Sequence, residues 1–263
     1  MIRADLFLSQ NGYVKSRQNA KALIEGGKVM IDGKEVKKAS ELLDETAIHS
    51  VEVVRDKYVC RGAYKLEGAL DAFRFSPAGL RCIDIGASTG GFTDVLLQRN
   101  ASVVYAVDSG HGQLDGVLAA DERVVNIEGY NARNLKRSDF PFLFQLAVMD
   151  VSFISQTYIH CGVVNVLDDD GILISLIKPQ FEAGRGAVGK NGIVKRKEDR
   201  EAAVLRVLNG AKEAGLFCKN IIRSPIDGGD GNIEYLALFS KNSEDMNVTT
   251  KDIKELTRDE RRL

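Results

Sequence analysis

The first segment whose residue types could bind a ligand is a glycine-rich run at 84–93, Asp-Ile-Gly-Ala-Ser-Thr-Gly-Gly-Phe-Thr. Glycine turns sharply and lets the backbone approach a ligand closely. The run follows an apolar, strand-like segment at 81–85, and a predicted helix over 93–98 comes after it. A helix N-terminus offers unpaired N–H groups. The pattern indicates a ligand-binding loop, although a simple strand-to-helix turn has the same composition.

A second acidic residue makes this prediction more specific. Asp108 ends the next apolar strand, 24 residues after Asp84. An acid at that place can accept hydrogen bonds from both hydroxyls of a ribose. The glycine spacing is not the dinucleotide pattern G-x-G-x-x-G, and no Lys-Ser/Thr follows as in a P-loop. We therefore expect an adenosine cofactor without pyrophosphate, with Gly86, Ser88 and Gly90 at its amino-acid end.

Five motifs together resemble the TlyA family, also called hemolysin A. These proteins are RNA ribose 2′-O-methyltransferases with an FtsJ-like catalytic domain. The motifs lie at 60–66, 84–93, 107–114, 149–155 and 177–182, and the resemblance spans residues 3–240. It implies S-adenosylmethionine as cofactor, ribosomal RNA or a ribosomal subunit as partner, and cytidine as the modified nucleotide. The residues expected to bind the cofactor are Asp84, Gly86, Ala87, Ser88, Gly90, Gly91, Asp108, Asn131 and Asp150.

The resemblance also implies a catalytic set of Lys65, Asp150, Lys178 and Glu234. A ribose 2′-hydroxyl is a poor nucleophile until its proton is removed or shared. A neutral lysine can accept that proton if burial or a second cation favours the neutral form. We expect Lys178 to act in this way, with Lys65 as the second cation and Asp150 holding Lys178. Glu234 is expected to orient a lysine or the ribose.

The same residue types have an ordinary structural explanation. Acids and lysines at strand ends are more often surface ion pairs than catalytic groups, and only the joint match of the motifs reverses that preference. Asn131 could contact adenine or cap a turn. Phe153 and Phe181 could stack on a base, but residues of this type are more often part of a core.

The elements that must position these residues alternate between strands and helices from residue 80 onward. The strand-like runs are 81–85, 102–107, 124–127, 146–149, 172–177, 220–223 and 234–239, and the helical ones include 63–73, 93–98, 156–167 and 197–214. This alternation predicts an α/β, Rossmann-like methyltransferase domain with a mostly parallel seven-stranded sheet. A glycine- and aspartate-rich loop joins the last two strands without a helix, which suggests an antiparallel final strand.

The first part of the chain has a different pattern, of two helices and a hairpin. Ser16 is expected to cap the second helix, and Asp32-Gly33 marks the hairpin turn. Residues 1–38 contain eight Lys or Arg and four Asp or Glu, a local charge of +4 in a chain of net charge -1. The segment resembles the RNA-binding fold of a ribosomal small-subunit protein, a small α+β domain. The expected RNA-binding residues are Arg3, Lys15, Arg17, Lys21 and Lys28; a solvated helix face is the alternative.

These patterns predict four segments: an RNA-binding domain at 1–54, a linker at 55–62, the methyltransferase domain at 63–241 and a polar tail at 242–263. We expect the tail to be mobile or a loose helix. The four cysteines form no C-x-x-C pair, so no metal site is expected.

Two other classes of function remain open. One is a membrane-active hemolysin, although the sequence has no apolar run of membrane-spanning length. The other is a non-catalytic RNA-binding protein that has kept the fold. We expect a cytoplasmic protein, and the sequence predicts no oligomeric state.

Overall fold

The computed structural model describes residues 1–14, 16–54 and 56–258. The chain divides into two compact units, Met1–Lys57 and Tyr58–Leu263. Tyr58 is 4% exposed and packs in the core of the second unit. The part of the predicted linker that follows Lys57 therefore packs with the second unit.

Among its described residues, the first unit contains two helices and five short strands. These are β1 (Ile2–Arg3), α1 (Ala4–Gln10), α2 (Arg17–Glu25), β2 (Val29–Ile31), β3 (Lys34–Glu35), β4 (Leu42–Leu43) and β5 (Val51–Val53). The predicted hairpin is confirmed, since β2 pairs with β3 across a turn in which Asp32 and Gly33 both have positive φ. The predicted cap is confirmed as well, because Ser16 accepts a hydrogen bond from the Asn19 N–H at 3.1 Å.

The second unit contains the larger sheet and its helices. The helices are α3 (Ala63–Phe73), α4 (Gly91–Gln98), α5 (Gly116–Ala119), α6 (His160–Val166), α7 (Pro179–Glu182), α8 (Lys197–Glu213) and α9 (Thr250–Leu256). The strands are β6 (Arg81–Ile85), β7 (Val103–Val107), β8 (Val124–Ile127), β9 (Phe144–Met149), β10 (Leu167–Ile177), β11 (Phe217–Arg223) and β12 (Tyr235–Ser240).

In the described part of this unit, seven strands form one sheet in the order β11-β12-β10-β9-β6-β7-β8. The pairs from β8 to β10 are parallel, and β12 is antiparallel to both of its neighbours. The mostly parallel sheet and its antiparallel strand are thus confirmed. Since β12 runs in the opposite direction, its first residue, Tyr235, pairs with Ile177 at the end of β10. Because of this register, residue 234, just before β12, and residue 178, just after β10, lie at the same end of the sheet.

Alternate residues of the central strands enter two apolar clusters, one on each face of the sheet. Ala147 and Met149 join the cluster that includes α8 residues, whereas Leu146 and Val148 join the cluster that includes α3 and α4 residues. Burial on both faces explains why these strands read as continuous apolar runs rather than as alternating ones.

Two predicted elements differ from the structure. The helix expected over 156–167 is a 3₁₀ turn at Gln156–Tyr158 followed by α6, and β10 begins at Leu167, with an irregularity before Ile172. The C-terminal segment contains α9. This helix begins at a capping box formed by Thr249 and Asp252, and its residue Ile253 is buried, with 1% exposure. This helix is packed rather than loose.

Candidate functional site

The glycine-rich loop leaves β6 in a conformation that few other residues could adopt. Gly86 has φ +85°, and a Cβ placed there would lie 2.5 Å from the carbonyl oxygen of Asp150. Gly90, at the N-terminus of α4, has φ +93°. These two glycines allow the loop to turn back across the sheet edge and to approach the segment that follows β9 closely.

Asp108 holds the loop from the neighbouring strand. Its Oδ2 accepts a hydrogen bond from the Ser88 N–H at 2.8 Å, and its Oδ1 accepts one from the Gly110 N–H at 2.7 Å. Each carboxylate oxygen can accept more than one hydrogen bond. Asp108 can therefore organise the loop and still accept hydrogen bonds from ribose hydroxyls.

Asp84 lies beneath the loop and is completely buried. The Thr93 hydroxyl donates to its Oδ2 at 2.7 Å, while Oδ1 has no hydrogen-bond partner among the described residues. Burial raises the pKa of Asp84 to about 7. A buried acid with a free acceptor at a ligand loop is suited to receive a donor from the ligand.

A cavity of about 530 Å³ opens beside the loop. Five of the predicted cofactor residues line it: Gly86, Ser88, Asp108, Asn131 and Asp150. Volumes of 300–1,000 Å³ are typical of small-molecule sites. The cavity, the glycines that a Cβ would obstruct and the free acceptor of Asp84 all fit an adenosine cofactor.

Two other predicted cofactor residues, Ala87 and Gly91, support the loop, and Asn131 has two roles. Ala87 donates its N–H to the Val107 carbonyl at 3.2 Å, and Gly91 packs so closely on Cys60 that a Cβ would lie 2.5 Å from its Sγ. The side chain of Asn131 accepts from the Arg133 N–H at 3.1 Å. Asn131 therefore caps a turn and lines the cavity at the same time.

Lys178 and Asp150 meet at the carboxyl ends of β10 and β9. Lys178 Nζ lies 2.5 Å from Asp150 Oδ1 and donates to Ser152 Oγ at 2.8 Å. The Lys178 side chain is 11% exposed and that of Asp150 is 22% exposed. Because Asp150 and Ser152 both line the cavity, the amine is held next to the space where a ligand would react.

Lys65 and Glu234 form a second, more deeply buried pair. Lys65 Nζ, on α3, lies 2.6 Å from Glu234 Oε2, and the two side chains are 10% and 2% exposed. Glu234 Oε1 accepts a further hydrogen bond from Gln180 Nε2 at 3.3 Å. Lys65 is thus paired with the Glu234 carboxylate in this structure, whereas its expected role as a second cation near Lys178 stays a prediction.

Phe153 differs from the expectation that it belongs to a core. It is 92% exposed, has φ +64° and lies with its ring centroid 5.2 Å from that of Phe181. Phe181 in turn lies beneath Lys178, with Nζ 5.9 Å from the ring centroid. The two rings form an exposed aromatic surface beside Lys178.

The predicted RNA-binding residues of the first unit form local ion pairs. Arg3 and Arg17 both donate to Asp5, and the pKa of Asp5 is lowered to about 2, first by the hydrogen bond from Arg3. Lys21 pairs with Glu25 at 3.7 Å and Lys28 with Asp56 at 2.5 Å. Lys15 lies outside the described residues. The exposed Lys21–Glu25 pair contributes little to stability, so a phosphate could replace its carboxylate at little cost. Asp5 is buried, so its carboxylate needs the two arginines as partners.

Several residues at the site were not singled out from the sequence. Ser152 contacts Lys178, Gln180 contacts Glu234, and Glu182 accepts hydrogen bonds from Ser155 and Gln156. All of them lie within the motifs at 149–155 and 177–182 or directly beside these. Their position in a motif was visible, but their partners depend on how β9 and β10 are aligned.

Comparison with protein-family models gives two matches. An FtsJ-like methyltransferase model matches residues 58–241, more than half of the chain, and an S4 domain model matches residues 2–48. Within the described residues, no helix is both long enough and apolar enough to cross a membrane.

Comparison with individual proteins gives relatives that cover nearly the whole chain. The chain is 42% identical over 254 residues to the 16S/23S rRNA (cytidine-2′-O)-methyltransferase TlyA of Mycobacterium tuberculosis, covering 96% of this chain and 94% of the relative. It is 41% identical over 240 residues to hemolysin A of Brachyspira hyodysenteriae, covering 90% and 99%. A solved structure from Streptococcus thermophilus is 40% identical with TM-score 0.76, covering 97% of this chain and 94% of that one.

Proposed function

The chain belongs to the FtsJ-like methyltransferase family, and we propose that it methylates the ribose 2′-hydroxyl of a cytidine in ribosomal RNA, using S-adenosylmethionine. The observation that carries the proposal is the Lys178–Asp150 pair beside the cavity of the glycine-rich loop. The identity of 42% to the M. tuberculosis methyltransferase, over most of both chains, supports the choice of substrate.

Binding of the cofactor is assigned to the glycine-rich loop and the acids around it. Gly86 and Gly90 give the close approach, Asp108 accepts from the ribose hydroxyls, and Asp84 offers its free oxygen to the amino-acid end. When bound, S-adenosylmethionine supplies an activated methyl group on a good leaving group. The task left to the protein is largely to align the nucleophile.

Lys178 is the group that we propose accepts the hydroxyl proton. A neutral amine has two N–H donors and one lone pair. Lys178 Nζ lies 2.5 Å from Asp150 Oδ1, an ion-pair distance, and donates a hydrogen bond to Ser152 Oγ at 2.8 Å. We propose that the lone pair of the neutral amine accepts the proton of the 2′-hydroxyl, and that the adjacent carboxylate of Asp150 then stabilises the ammonium so formed.

Lys65 and Glu234 are proposed to act as a fixed pair rather than as a second proton acceptor. Glu234 directly precedes β12, and its carboxylate holds Lys65 Nζ at 2.6 Å. Together with the hydrogen bond from Gln180, the pair links α3, β12 and the segment after β10. Its proposed roles are to orient the ribose and to keep this sheet edge rigid.

The first unit is proposed to bind the RNA. The supporting observations are the S4 match at 2–48 and the local charge of +4 over residues 1–38. We propose a ribosomal subunit or its RNA as the partner, a cytoplasmic location, and domain boundaries at 1–54 and 63–241 joined by a linker at 55–62, with a polar segment at 242–263. The division of the structure between Lys57 and Tyr58 is compatible with a joint in that region.

The experiment that tests the proposed function is transfer of a labelled methyl group. Purified protein is incubated with S-adenosylmethionine and either ribosomal subunit from a strain that lacks the gene, and 2′-O-methyl groups are then mapped at single-nucleotide level. We expect the protein to form a 2′-O-methylcytidine on this RNA. The same modified nucleotide should be present in RNA of the parent strain and absent from untreated RNA of the deletion strain. A methyl group on a base, or no methylation of either subunit, would overturn the proposal.

A further inference from the structure

A buried carboxylate outside the four catalytic residues joins the segments that carry Asp150 and Lys178. Glu182, at the end of α7, is 3% exposed. Its Oε2 accepts a hydrogen bond from Ser155 Oγ at 2.5 Å, and its Oε1 accepts one from the Gln156 N–H at 2.9 Å. The two donors lie in the segment that begins at Asp150, and Glu182 lies four residues after Lys178. One side chain thus fastens one segment to the other.

The connection continues into β10 through the side chain of Gln156. Its Oε1 accepts a hydrogen bond from Ser175 Oγ at 2.5 Å, and its Nε2 donates to the Leu176 carbonyl at 3.3 Å. Gln156 and Ser175 are 1% and 0% exposed. Hydrogen bonds in such a buried network are strong, and they fix one geometry because every lost partner would leave an unpaired polar group.

The segment held by this network has a backbone that needs support. Asp150 fixes its beginning by donating its N–H to the Ile85 carbonyl at 3.0 Å. Phe153, in the middle, has φ +64°, a left-handed conformation that a bulky residue keeps only when its surroundings impose it. Ser155 and Gln156 are the end that Glu182 holds. Release of that end would let the segment relax and withdraw Ser152 from Lys178.

From these contacts we infer that Glu182 is a positioning residue, which holds residues 150–156 in the conformation that presents Asp150 and Ser152 to Lys178. The inference rests on the proposed function, because the positions it fixes matter only if Lys178 takes part in the reaction. Glu182 itself contacts Ser155 and Gln156 and acts through them.

The electrostatics of Glu182 agree with a geometric role. Burial raises its pKa, and the hydrogen bonds from Ser155 and Gln156 and the positive charge of Arg206 oppose that rise. Both carboxylate oxygens are used by donors of the 150–156 segment. A carboxyl group kept in so buried a place must be compensated by these hydrogen bonds.

The test compares three variants in the full chain with one stability control. Glu182→Ala removes both acceptors, Ser155→Ala removes one donor, and Glu182→Gln keeps a group that can accept from the Gln156 N–H and donate to Ser155 Oγ. Leu216→Ala is the control, because Leu216 is completely buried next to the start of β11. That end of the sheet is opposite to the end at which Asp150 and Lys178 lie. The readouts are kcat, the KM for RNA, the Kd for S-adenosylmethionine, and Tm.

We expect Glu182→Ala to lower kcat at least about tenfold with cofactor Kd unchanged, because a small misplacement of reacting groups has effects of that size. Ser155→Ala should lower kcat less, and Glu182→Gln should restore most of it. Leu216→Ala should lower Tm and leave kcat near wild type. The inference is overturned if Glu182→Ala keeps the wild-type kcat, or if Leu216→Ala lowers kcat equally at an equal loss of Tm.

A measurement that does not depend on activity separates this inference from the proposed function. The chain has no tryptophan, so Phe153→Trp provides a single fluorescent reporter within the 150–156 segment. Added to this reporter, Glu182→Ala should lower the fluorescence anisotropy, and Glu182→Gln should not. Unchanged anisotropy would overturn the inference. Absence of methyl transfer by the wild-type protein would instead overturn the proposed function, whatever the anisotropy.

Discussion

Lys65 and Lys178 each pair with a carboxylate, and the two pairs differ in burial, which is why we propose different roles for them. Lys65 and Glu234 are almost fully buried, whereas Asp150, the partner of Lys178, is 22% exposed and lines the cavity. A buried pair mainly fixes structure, because its charges cannot be left uncompensated. A partly exposed pair beside a cavity can exchange a partner for a substrate.

This difference predicts unequal losses of stability. Lys65→Ala leaves the Glu234 carboxylate buried without its cation, so the free energy of unfolding should fall by about 3–5 kcal/mol. Lys178→Ala should cost clearly less, since water can reach Asp150. Urea denaturation of both variants measures the two losses. Equal losses would contradict the assignment of Lys65 to a structural pair.

Asp108 is the residue whose removal should affect cofactor binding most directly. Asp108→Ala removes a charged acceptor worth about 1.5–3 kcal/mol, so the Kd for S-adenosylmethionine should rise roughly 10-fold or more. Isothermal titration calorimetry measures this change. Asp121→Ala is a matched control, because Asp121 also accepts from a backbone N–H, that of Arg123, but does not line the cavity. An unchanged Kd for Asp108→Ala would exclude Asp108 from the cofactor site.

At the scale of elements, the sequence predicts well whatever depends on local pattern. Apolar runs locate the strands of the large sheet, and the glycine and aspartate turn locates the β2–β3 hairpin. Parallel strands share one carboxyl edge, so the sequence alone predicts that Asp150 and Lys178 lie at the same edge of the sheet.

Partners set by distant packing could not be predicted in the same way. Lys65 and Glu234 are 169 residues apart in the sequence, and their contact depends on the register of β12 against β10. Phe153 is exposed because the left-handed backbone at that residue turns its ring outward from a sequence that otherwise looks like core. Neither fact has a local pattern to reveal it.

Helix α6 begins with a buried histidine, from which we expect the stability of the second unit to depend on pH. Burial lowers the pKa of His160 to about 4, against 6.5 in an unfolded chain. Between these values the unfolded chain binds a proton that the folded one does not. Stability from this group is therefore present above pH 6.5 and is lost as the pH falls towards 4.

The variant His160→Leu isolates this contribution. Relative to the variant, the wild-type protein should lose roughly 3 kcal/mol of unfolding free energy between pH 7.5 and 4, following the size of the pKa shift. Asp84, whose pKa burial raises to about 7, titrates with the opposite sign but is present in both proteins, so the difference removes it. If the difference in unfolding free energy between wild type and variant did not change with pH, burial would not lower the pKa of His160 in the folded protein.

At the scale of the whole molecule, the chain divides into two compact units, to which we assign separate proposed tasks. The cavity and both lysine pairs lie within Tyr58–Leu263, whereas residues 1–38, with their local charge of +4, lie within Met1–Lys57. The net charge of the chain is only -1, so the proposed binding to RNA would depend on the basic residues of this segment rather than on overall charge.

Removal of residues 1–57 should therefore separate the two tasks. We expect the shortened protein to bind S-adenosylmethionine with unchanged Kd and to lose methylation of ribosomal RNA. Affinity of the full chain for RNA should fall steeply as salt rises, since lysines and arginines displace counterions from phosphates. Full methylation by the shortened protein would assign the first unit a different role.

The central claim is that Lys178 accepts the proton of the ribose hydroxyl, and Lys178→Arg tests it most directly. Arginine keeps the positive charge and can still pair with Asp150, but it stays protonated and cannot accept a proton. Lys219→Arg is the matched control, because Lys219 pairs with Asp245 at 3.1 Å on β11 and does not line the cavity. In single-turnover assays with saturating S-adenosylmethionine and RNA, we expect Lys178→Arg to transfer no methyl group while binding the cofactor normally, and Lys219→Arg to match the wild type. Methyl transfer by Lys178→Arg near the wild-type rate would contradict the claim and leave Lys178 as a positioning charge.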